Sequence, residues 1–225
     1  MTCNKNIAFT LAEVLITLGI IGVVAAMTIP GLITKYRRHV VETKLAKFDS
    51  VINQAVRMSI AENDDLVYNG SLSMSQNEAG EYLKEWLNEN LLQYMNTSYD
   101  GDVITSESGN NYYKVNFLDG TGFVTYLQLA SSSTVINFFY CLDAADDSCE
   151  PESYDGRNTF VFQYNTDEKA ILPYGSSVSN LDKLKNNTSS GARGCYSTAS
   201  EKRHYCARLI QLNGWKIPDD YPWIK

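Results

Sequence analysis

The first 60 residues follow one continuous pattern, in which an apolar run passes into an apolar stripe. The run from Val14 to Thr34 contains 21 residues without a charge. As a helix it spans roughly 31 Å, the thickness of the hydrocarbon core of a bilayer. Farther on, apolar residues recur at spacings of four, three, four and three: Val41, Leu45, Phe48, Ile52 and Ala55. This period predicts one helix from Phe9 to Ile60 whose second half packs on another layer.

The pattern changes twice after a polar break at Asn63 to Asp65. Glu81 to Met95 has one apolar side and is predicted to be a second helix. After Gly109 the period becomes two, which is typical of strands. The strand candidates are Tyr113–Phe117, Phe123–Leu129, Thr134–Tyr140, Thr159–Tyr164 and Lys169–Leu172. Five short strands in meander order predict an antiparallel sheet, covered on one face by the stripe of the first helix.

Composition and charge exclude several classes of function. The chain has 225 residues, of which 44% are hydrophobic and 20% charged, as in an ordinary folded protein. A net charge of −7 argues against a nucleic-acid binder, which needs a basic face. With only two histidines, His39 and His204, a zinc site of three histidines is excluded. Cys206 follows His204 by two residues, which is not the usual arrangement of a nucleophile and its base. The sequence therefore predicts no enzyme.

The apolar run has two interpretations. It is either a secretory signal cut after the small residues Val24-Ala25-Ala26, or an anchor that stays attached. Glu13 directly precedes the run, and a carboxylate there is unfavourable for a signal peptide. On charge alone, Glu13 could lie at headgroup level, where the dipole of a helix N-terminus favours an anion. The basic cluster Lys35–Arg38 opposes the positive-inside rule if the rest of the chain is exported.

The residues ahead of the run resemble a known signal. Ala8 followed by Phe9-Thr10-Leu11-Ala12-Glu13 and a long apolar helix is similar to the signal of type IV prepilins and type II secretion pseudopilins. The resemblance implies that prepilin peptidase cuts between Ala8 and Phe9 and methylates the Phe9 amine. Ala8 departs from the glycine usual before the cut. Gly22 and Pro30 match positions where many members carry glycine and proline, and a helix break is expected there, although membrane helices also tolerate proline.

This resemblance implies an α+β, pilin-like fold: a long membrane-spanning helix whose C-terminal half packs on an antiparallel sheet, with a disulfide-bearing C-terminal region. The implied segments are a leader at 1–8, a transmembrane and assembly helix at 9–34, its amphipathic continuation at 35–62 and an extracytoplasmic domain at 63–225. In a fibre, the Phe9 amine of one subunit reaches Glu13 of a neighbour.

The implied function is a structural subunit of a type IV pilus or a type II secretion pseudopilus. Expected partners are copies of the chain or other pilin-like subunits, prepilin peptidase, the inner-membrane assembly platform and the lipid bilayer. The expected location is the bacterial inner membrane and then a surface or periplasmic fibre. The alternative is a minor pilin or tethered surface protein that binds DNA, a sugar or a host surface.

The cysteines support export. Cleavage after Ala8 removes Cys3 and leaves four: Cys141, Cys149, Cys195 and Cys206. Four cysteines allow three connectivities, and pairing between sequence neighbours, Cys141 with Cys149 and Cys195 with Cys206, is favoured over crossed pairs or free thiols.

An acidic stretch that includes Asp143, Asp146 and Asp147 suggests the calcium loop of some pseudopilins. Its spacing matches no EF-hand, so a solvated acidic loop without a cofactor is expected.

Overall fold

The computed structural model describes residues 10–63, 74–95, 98–106, 109–129, 134–145, 149–150, 154–187, 194–198 and 202–224. Its helices are α1 (Leu11–Asn63), α2 (Gln76–Asn90), a 3-10 turn (Leu92–Tyr94), α3 (Leu181–Asn186) and α4 (Cys206–Leu212). Its strands are β1 (Tyr99–Thr105), β2 (Asn111–Phe117), β3 (Gly122–Leu129), β4 (Thr134–Cys141), β5 (Thr159–Asn165) and β6 (Ala170–Pro173). The predicted α+β, pilin-like architecture is confirmed.

Helix α1 is continuous over 53 residues, about 80 Å. The predicted break at Gly22 and Pro30 is wrong for this structure, because both residues lie inside the helix. Pro30 removes only one backbone donor from a long hydrogen-bonded ladder. The neighbouring turns keep their bonds and gain others: Thr28 Oγ1 donates to Val24 O at 3.0 Å, and Thr34 Oγ1 donates to Pro30 O at 3.1 Å. A single lost bond therefore does not end the helix.

The six strands form one antiparallel meander in the order β1 to β6. Five of them were predicted, and β1 was not, because Asp100, Gly101 and Asp102 obscure its alternation. Glycine is favoured at position 101, because a Cβ there would meet the ring and hydroxyl of Tyr113 on the neighbouring strand, which would have to move. The polar composition of β1 is tolerated because β1 is an edge strand with exposed positions.

The apolar stripe of α1 packs on the sheet as predicted. Its five residues are buried, and Val56 and Ser59 extend the buried face. Phe48 lies at the centre: its ring stacks on Tyr140 with centroids 4.2 Å apart and meets the ring of Phe162 edge-on at 5.0 Å. Helix α2 adds Leu83, Trp86 and Leu87 to the same core. The second half of α1 is thus a structural part of the globular domain.

Helix α2 begins and ends five residues earlier than the predicted Glu81–Met95. The sequence signal for its start is the Ser-x-x-Glu pattern at Ser75, a capping box in which the Ser75 N–H donates to Glu78 Oε2 at 2.9 Å. Leu91 and the 3-10 turn that follows account for most of the predicted C-terminal part.

Asn53 of α1 fixes the register of the helix on strand β6. Its Nδ2 donates to Ile171 O at 2.8 Å, and the Ile171 N–H donates to its Oδ1 at 2.9 Å. Ile171 is fully buried in the last strand of the sheet. One side-chain amide therefore supplies the donor and the acceptor that a further strand would supply, so the buried backbone groups are satisfied.

Both predicted disulfides are present, Cys141–Cys149 and Cys195–Cys206. All four cysteines are buried. The first bond ties the end of β4 to the loop that follows it, and the second holds the start of α4. By the chain-entropy model each contributes roughly 2.5 kcal/mol to the free energy of unfolding.

Candidate functional site

The N-terminal half of α1 stands clear of the folded domain. Almost every residue from 11 to 33 is exposed, and large apolar side chains point in all directions around the helix axis. Leu11 and Met27, for example, are 79% and 78% exposed. A helix that is apolar on all sides is stable only in lipid or among other apolar helices.

By length and composition, α1 is able to cross a bilayer, and it alone among the described helices meets that criterion. The qualifying stretch has none of its residues buried, in contrast to a core helix. Glu13 borders the uncharged run at one end and Lys35 at the other. Together these features mark residues 14–34 as a candidate membrane span with an exposed apolar surface.

Glu13 is the third residue of α1 and closes a capping box with Thr10. The Thr10 N–H and Thr10 Oγ1 each donate to Glu13 Oε2 at 2.8 Å, and the Glu13 N–H donates back to Thr10 Oγ1 at 3.2 Å. This reciprocal arrangement satisfies donors that every helix start leaves unpaired. The Thr-x-x-Glu spacing was the available signal, but sequence reasoning considered only the charge of Glu13. The carboxylate thus has a role within its own chain.

Several predicted site residues lie outside the described part of the chain. Ala8 and Phe9, the cleavage and methylation positions, are among them, as are Asp146 and Asp147. Asp143 is described, and its Oδ1 accepts the Ala145 N–H at 3.0 Å in a turn. In the described ranges no three potential metal ligands come together. The cleavage site remains a prediction, and so does the solvated acidic loop without a cofactor, for which calcium binding was the alternative.

Cys206 forms a disulfide with Cys195. It therefore has no free thiol that could act as a nucleophile with His204 as its base. His204 instead lies beside Tyr154, whose hydroxyl is 2.9 Å from Nε2. These contacts give both residues a structural role.

A C-terminal segment, residues 216–219, clamps the folded domain to α1 just beyond the apolar run. Arg38 Nη2 donates to Ile217 O at 2.8 Å and to Pro218 O at 2.6 Å. One turn later, Glu42 accepts a hydrogen bond from Lys216 Nζ and another from the Ile217 N–H, both at 2.9 Å. Sequence reasoning missed this clamp, because its partners are about 180 residues apart. It fixes where the globular domain begins along the helix.

The face of the sheet away from α1 carries an open cleft. It has a volume of about 240 Å³ and is lined chiefly by aromatic and amide side chains: Tyr126, Asn137, Phe139, Tyr154, Tyr174 and His204. Tyr126 and Asn137 are opposite each other on β3 and β4, and Asn137 Oδ1 accepts from Gln163 Nε2 at 3.1 Å. The rings of Phe139 and Tyr154 stack beneath, with centroids 5.3 Å apart. The cleft therefore combines ring faces with the amides of Asn137 and Gln128 and the ammonium group of Lys202.

Two family models match the chain, and the boundary between the two matched ranges lies within α1. A model described as a family of unknown function, DUF6613, matches residues 31–224. The chain belongs to the DUF6613 family. A model described as the prokaryotic N-terminal methylation motif matches residues 3–29. No curated protein and no solved structure matches.

The motif is the type IV prepilin signature, so this DUF6613 protein is a type IV pilin-like or pseudopilin-like precursor. With the exposed apolar helix, the motif indicates membrane anchoring and favours the anchor over a removed signal peptide. It also points to a structural, pilin-type protein and, in general, to association with other pilin subunits and prepilin peptidase. The motif and the globular domain are joined by one unbroken helix.

The clamp of this DUF6613 protein is expected to depend on pH. Burial alone would raise the pKa of Glu42, but the hydrogen bonds from Lys216 and Ile217 and the charges of Lys216 and Arg38 lower it below its usual value. A carboxyl group with a lowered pKa in the folded state stabilises the fold above its ordinary pKa of 4.5 and loses that effect as the pH falls.

We therefore expect Glu42→Gln to lower the free energy of unfolding by about 1 kcal/mol at pH 7 and by less at pH 3. Urea unfolding of the full chain in a neutral detergent at the two pH values measures this. Glu81→Gln, at an exposed position on α2, is the control and should change stability by less than about 0.5 kcal/mol. An equal effect of Glu42→Gln at both pH values would contradict the ionic role.

Proposed function

We propose that this protein is a structural subunit of a type IV pilus or of a type II secretion pseudopilus, polymerised through the N-terminal half of α1. The supporting observation is the half-helix itself: it is apolar on all sides, exposed, and continuous with a helix that packs in the folded domain. Such a helix is stored in a bilayer before assembly and is covered by the same half-helix of neighbouring subunits in a fibre. The proposal requires no enzymatic activity and no cofactor.

The geometry of Glu13 supports this mechanism of assembly. Both hydrogen bonds from Thr10 end on Oε2, so in the described part of the chain Oε1 accepts none. Cleavage before Phe9 would create an amine that can donate to Oε1 of a neighbouring subunit while the cap stays intact. Two opposite charges about 4 Å apart attract by about 4 kcal/mol at an effective dielectric constant of 20, before desolvation is counted. This attraction would offset the cost of placing a carboxylate in a fibre core.

The proposed topology places the globular domain outside the cytoplasm. Two buried disulfides support this, because such bonds persist in oxidising compartments and are rare in the cytosol. The inner membrane would hold the precursor, and the final location would be a fibre at the cell surface or in the periplasm. The inner-membrane assembly platform would be the partner that lifts each subunit out of the bilayer.

We expect the mature chain to begin at Phe9 with an N-methyl group. Removal of residues 1–8 takes away Lys5, so the 19 basic residues become 18 and the net charge changes from −7 to −8. N-terminal peptide mass spectrometry of the membrane fraction tests this directly. A mature start at Met27 would show a signal-peptide cut after Val24-Ala25-Ala26, and the anchor would be lost.

The cleft on the face of the sheet away from α1 favours a second candidate function. In this alternative the protein is a minor pilin or a tethered surface protein that binds a sugar. Aromatic faces and amide groups are suited to stacking on a sugar ring and bonding its hydroxyls, whereas the net charge of −7 disfavours DNA. If helices α1 form the centre of a fibre, this face of the sheet points outward. Copy number distinguishes the two roles: a structural subunit makes up most of the sheared fibre protein, whereas a ligand-binding minor subunit is present at a few copies per fibre.

A further inference from the structure

The basic segment directly after the apolar run has no role in the mechanism above. Residues 35–47 contain five basic side chains and one acidic one, in a chain of net charge −7. Three of the five have partners in the folded domain: Arg38 in the clamp, Lys44 Nζ with Leu142 O at 2.8 Å, and Lys47 Nζ with Asp119 Oδ2 at 2.8 Å. Arg37 is exposed, and its guanidinium forms no ion pair with any acidic residue of the described ranges.

Arg37 lines a cavity of about 160 Å³ between α1 and the end of the sheet. A second exposed arginine, Arg157, lines the same cavity, and it too forms no ion pair within the ranges described. Tyr36 and Asn158 add polar groups, whereas Val40 and Leu142 supply an apolar wall. We name this space the junction cavity. It offers two positive charges beside an apolar surface.

The turn that carries Arg157 is held in place by the side chain of Asp155. Asp155 Oδ1 accepts the N–H groups of Arg157, Asn158 and Thr159 at 2.8, 2.8 and 3.1 Å. Oδ1 of Asp155 is therefore occupied by three backbone donors, and Asp155 forms no ion pair with either arginine in the described ranges. Glu42, the acidic residue of the basic segment, is occupied by Lys216 and Ile217. The two arginines of the junction cavity are thus left to bind an external anion.

The junction cavity lies at the height of lipid headgroups when residues 14–34 span a bilayer. Arg37 is three residues beyond Thr34, about 4.5 Å along the helix axis. The headgroup layer is about 5–8 Å thick on each side of the hydrocarbon core. A phosphate in that layer would therefore reach the two guanidinium groups. Val40, about 9 Å beyond Thr34, lies on the aqueous side of that phosphate, so the glycerol and the acyl chains of the lipid would extend back toward Thr34.

We propose that the junction cavity binds the phosphate of an anionic phospholipid from the leaflet on the side of the globular domain. The proposal rests on the proposed membrane anchoring of α1. Guanidinium groups match phosphate oxygens in pairs, and their pairing with lipid phosphate is favoured near an anionic surface. This proposal also gives a role to the basic cluster Lys35–Arg38, which opposes the positive-inside rule. The cluster would hold the membrane-proximal end of the globular domain on an anionic membrane surface before assembly.

The test uses the full mature chain in a neutral detergent, titrated with dioleoyl phosphatidylglycerol or dioleoyl phosphatidylcholine, with bound lipid counted by native mass spectrometry. We expect saturable binding of one phosphatidylglycerol and no saturable binding of phosphatidylcholine. Each basic residue near a membrane surface strengthens the attraction about fivefold. Arg37→Gln and Arg157→Gln should each raise the half-saturating concentration about fivefold, and the double variant about 25-fold.

Arg57→Gln is the matched control, since Arg57 is an exposed arginine on the same helix, 20 residues or about 30 Å farther from the membrane. It should leave lipid binding unchanged. Unfolding midpoints of all variants in detergent should agree with that of the native chain, because the three arginines are exposed.

Equal binding of the two lipids, or unchanged binding in the double variant, would overturn the proposal. A third arm uses inorganic phosphate: if it binds alone with the same dependence on Arg37 and Arg157, the cavity takes free phosphate and the lipid assignment is wrong. Flotation with phosphatidylcholine vesicles tests the anchor separately. A chain that does not float contradicts membrane anchoring, whereas one that floats without preferring phosphatidylglycerol contradicts only the role of the junction cavity.

Discussion

Cells that carry Glu13→Ala should process the subunit normally and retain it in the membrane, with at least a tenfold loss of fibre content. Cleavage depends on the residues around Ala8, whereas the Glu13 carboxylate acts when the Phe9 amine of a neighbour arrives. A net loss of only 1.4 kcal/mol for each contact between subunits lowers the association constant tenfold. Removal of the charge also eases residence in the bilayer by up to about 3 kcal/mol, so the precursor should stay stable. Immunoblots of sheared and membrane fractions measure the distribution.

Two further variants separate the two roles considered for Glu13, the helix cap and the proposed charge contact with a neighbouring subunit. Glu13→Gln removes the charge but keeps the cap, since glutamine also accepts hydrogen bonds from the N-cap residue. Thr10→Ala removes the two hydrogen bonds of the Thr10 hydroxyl, which costs about 1 kcal/mol of helix stability, but keeps the charge.

We expect Glu13→Gln to lose fibres as Glu13→Ala does, and Thr10→Ala to form them. The opposite pattern would assign Glu13 to the cap, and normal fibre content in both would place it at headgroup level with no role in assembly.

Truncation of Phe48 should cause the largest loss of folding stability. Phe48 is 4% exposed and packs on three aromatic rings of the sheet: Tyr140, Phe162 and Phe123. Phe-to-Ala changes in cores cost about 3–5 kcal/mol, because apolar contacts are lost and a cavity is left. In a domain of this size that corresponds to a fall in Tm of about 6–20 °C. Near-UV circular dichroism of the full chain in a neutral detergent follows the loss of ring packing.

Met58→Ala is the matched control for Phe48→Ala. Met58 lies on the same helix, but it is 42% exposed and outside the buried face. We expect its truncation to cost less than about 0.5 kcal/mol and to shift Tm by no more than about 2 °C. A similar small shift for Phe48→Ala would contradict the packing of α1 on the sheet and would imply that the helix and the globular domain are independent.

The elements that were predicted well depend on local patterns. The apolar stripe of α1 repeats at the helical period over four turns, and the strands from β2 to β6 have runs of aromatic and β-branched residues. The cysteine pairs are 8 and 11 residues apart, so sequence proximity favours the observed connectivity. Strand β1 was missed because its acidic residues and its glycine carry no such pattern, and a neighbouring strand induces its extended conformation. The helix break was wrong because one proline is not enough to end a helix of this length.

The Thr-x-x-Glu sequence at Thr10 shows what a local pattern can leave ambiguous. The same device starts α2 at Ser75, where it is a cap and has no other assigned role. At Glu13 the same hydrogen-bond pattern accompanies the prepilin signature, so this glutamate is a cap and also the candidate for an assembly contact. In the structure both hydrogen bonds from Thr10 end on Oε2, so the proposed assembly contact would use Oε1 and leave the cap intact.

By itself, the sequence determined the anchor helix, its apolar stripe, most of the sheet, the disulfide pairs and the membership of a pilin-like class. Each of these depends on a pattern among residues that are close in the sequence. Only the tertiary structure decided the clamp between Arg38 and the carbonyls near Ile217, the bond of Asn53 to strand β6 and the meeting of Arg37 with Arg157. The physical reason is sequence distance: these partners are about 120 to 180 residues apart. They meet only after the core has fixed the register of α1 on the sheet, and no local period encodes that register.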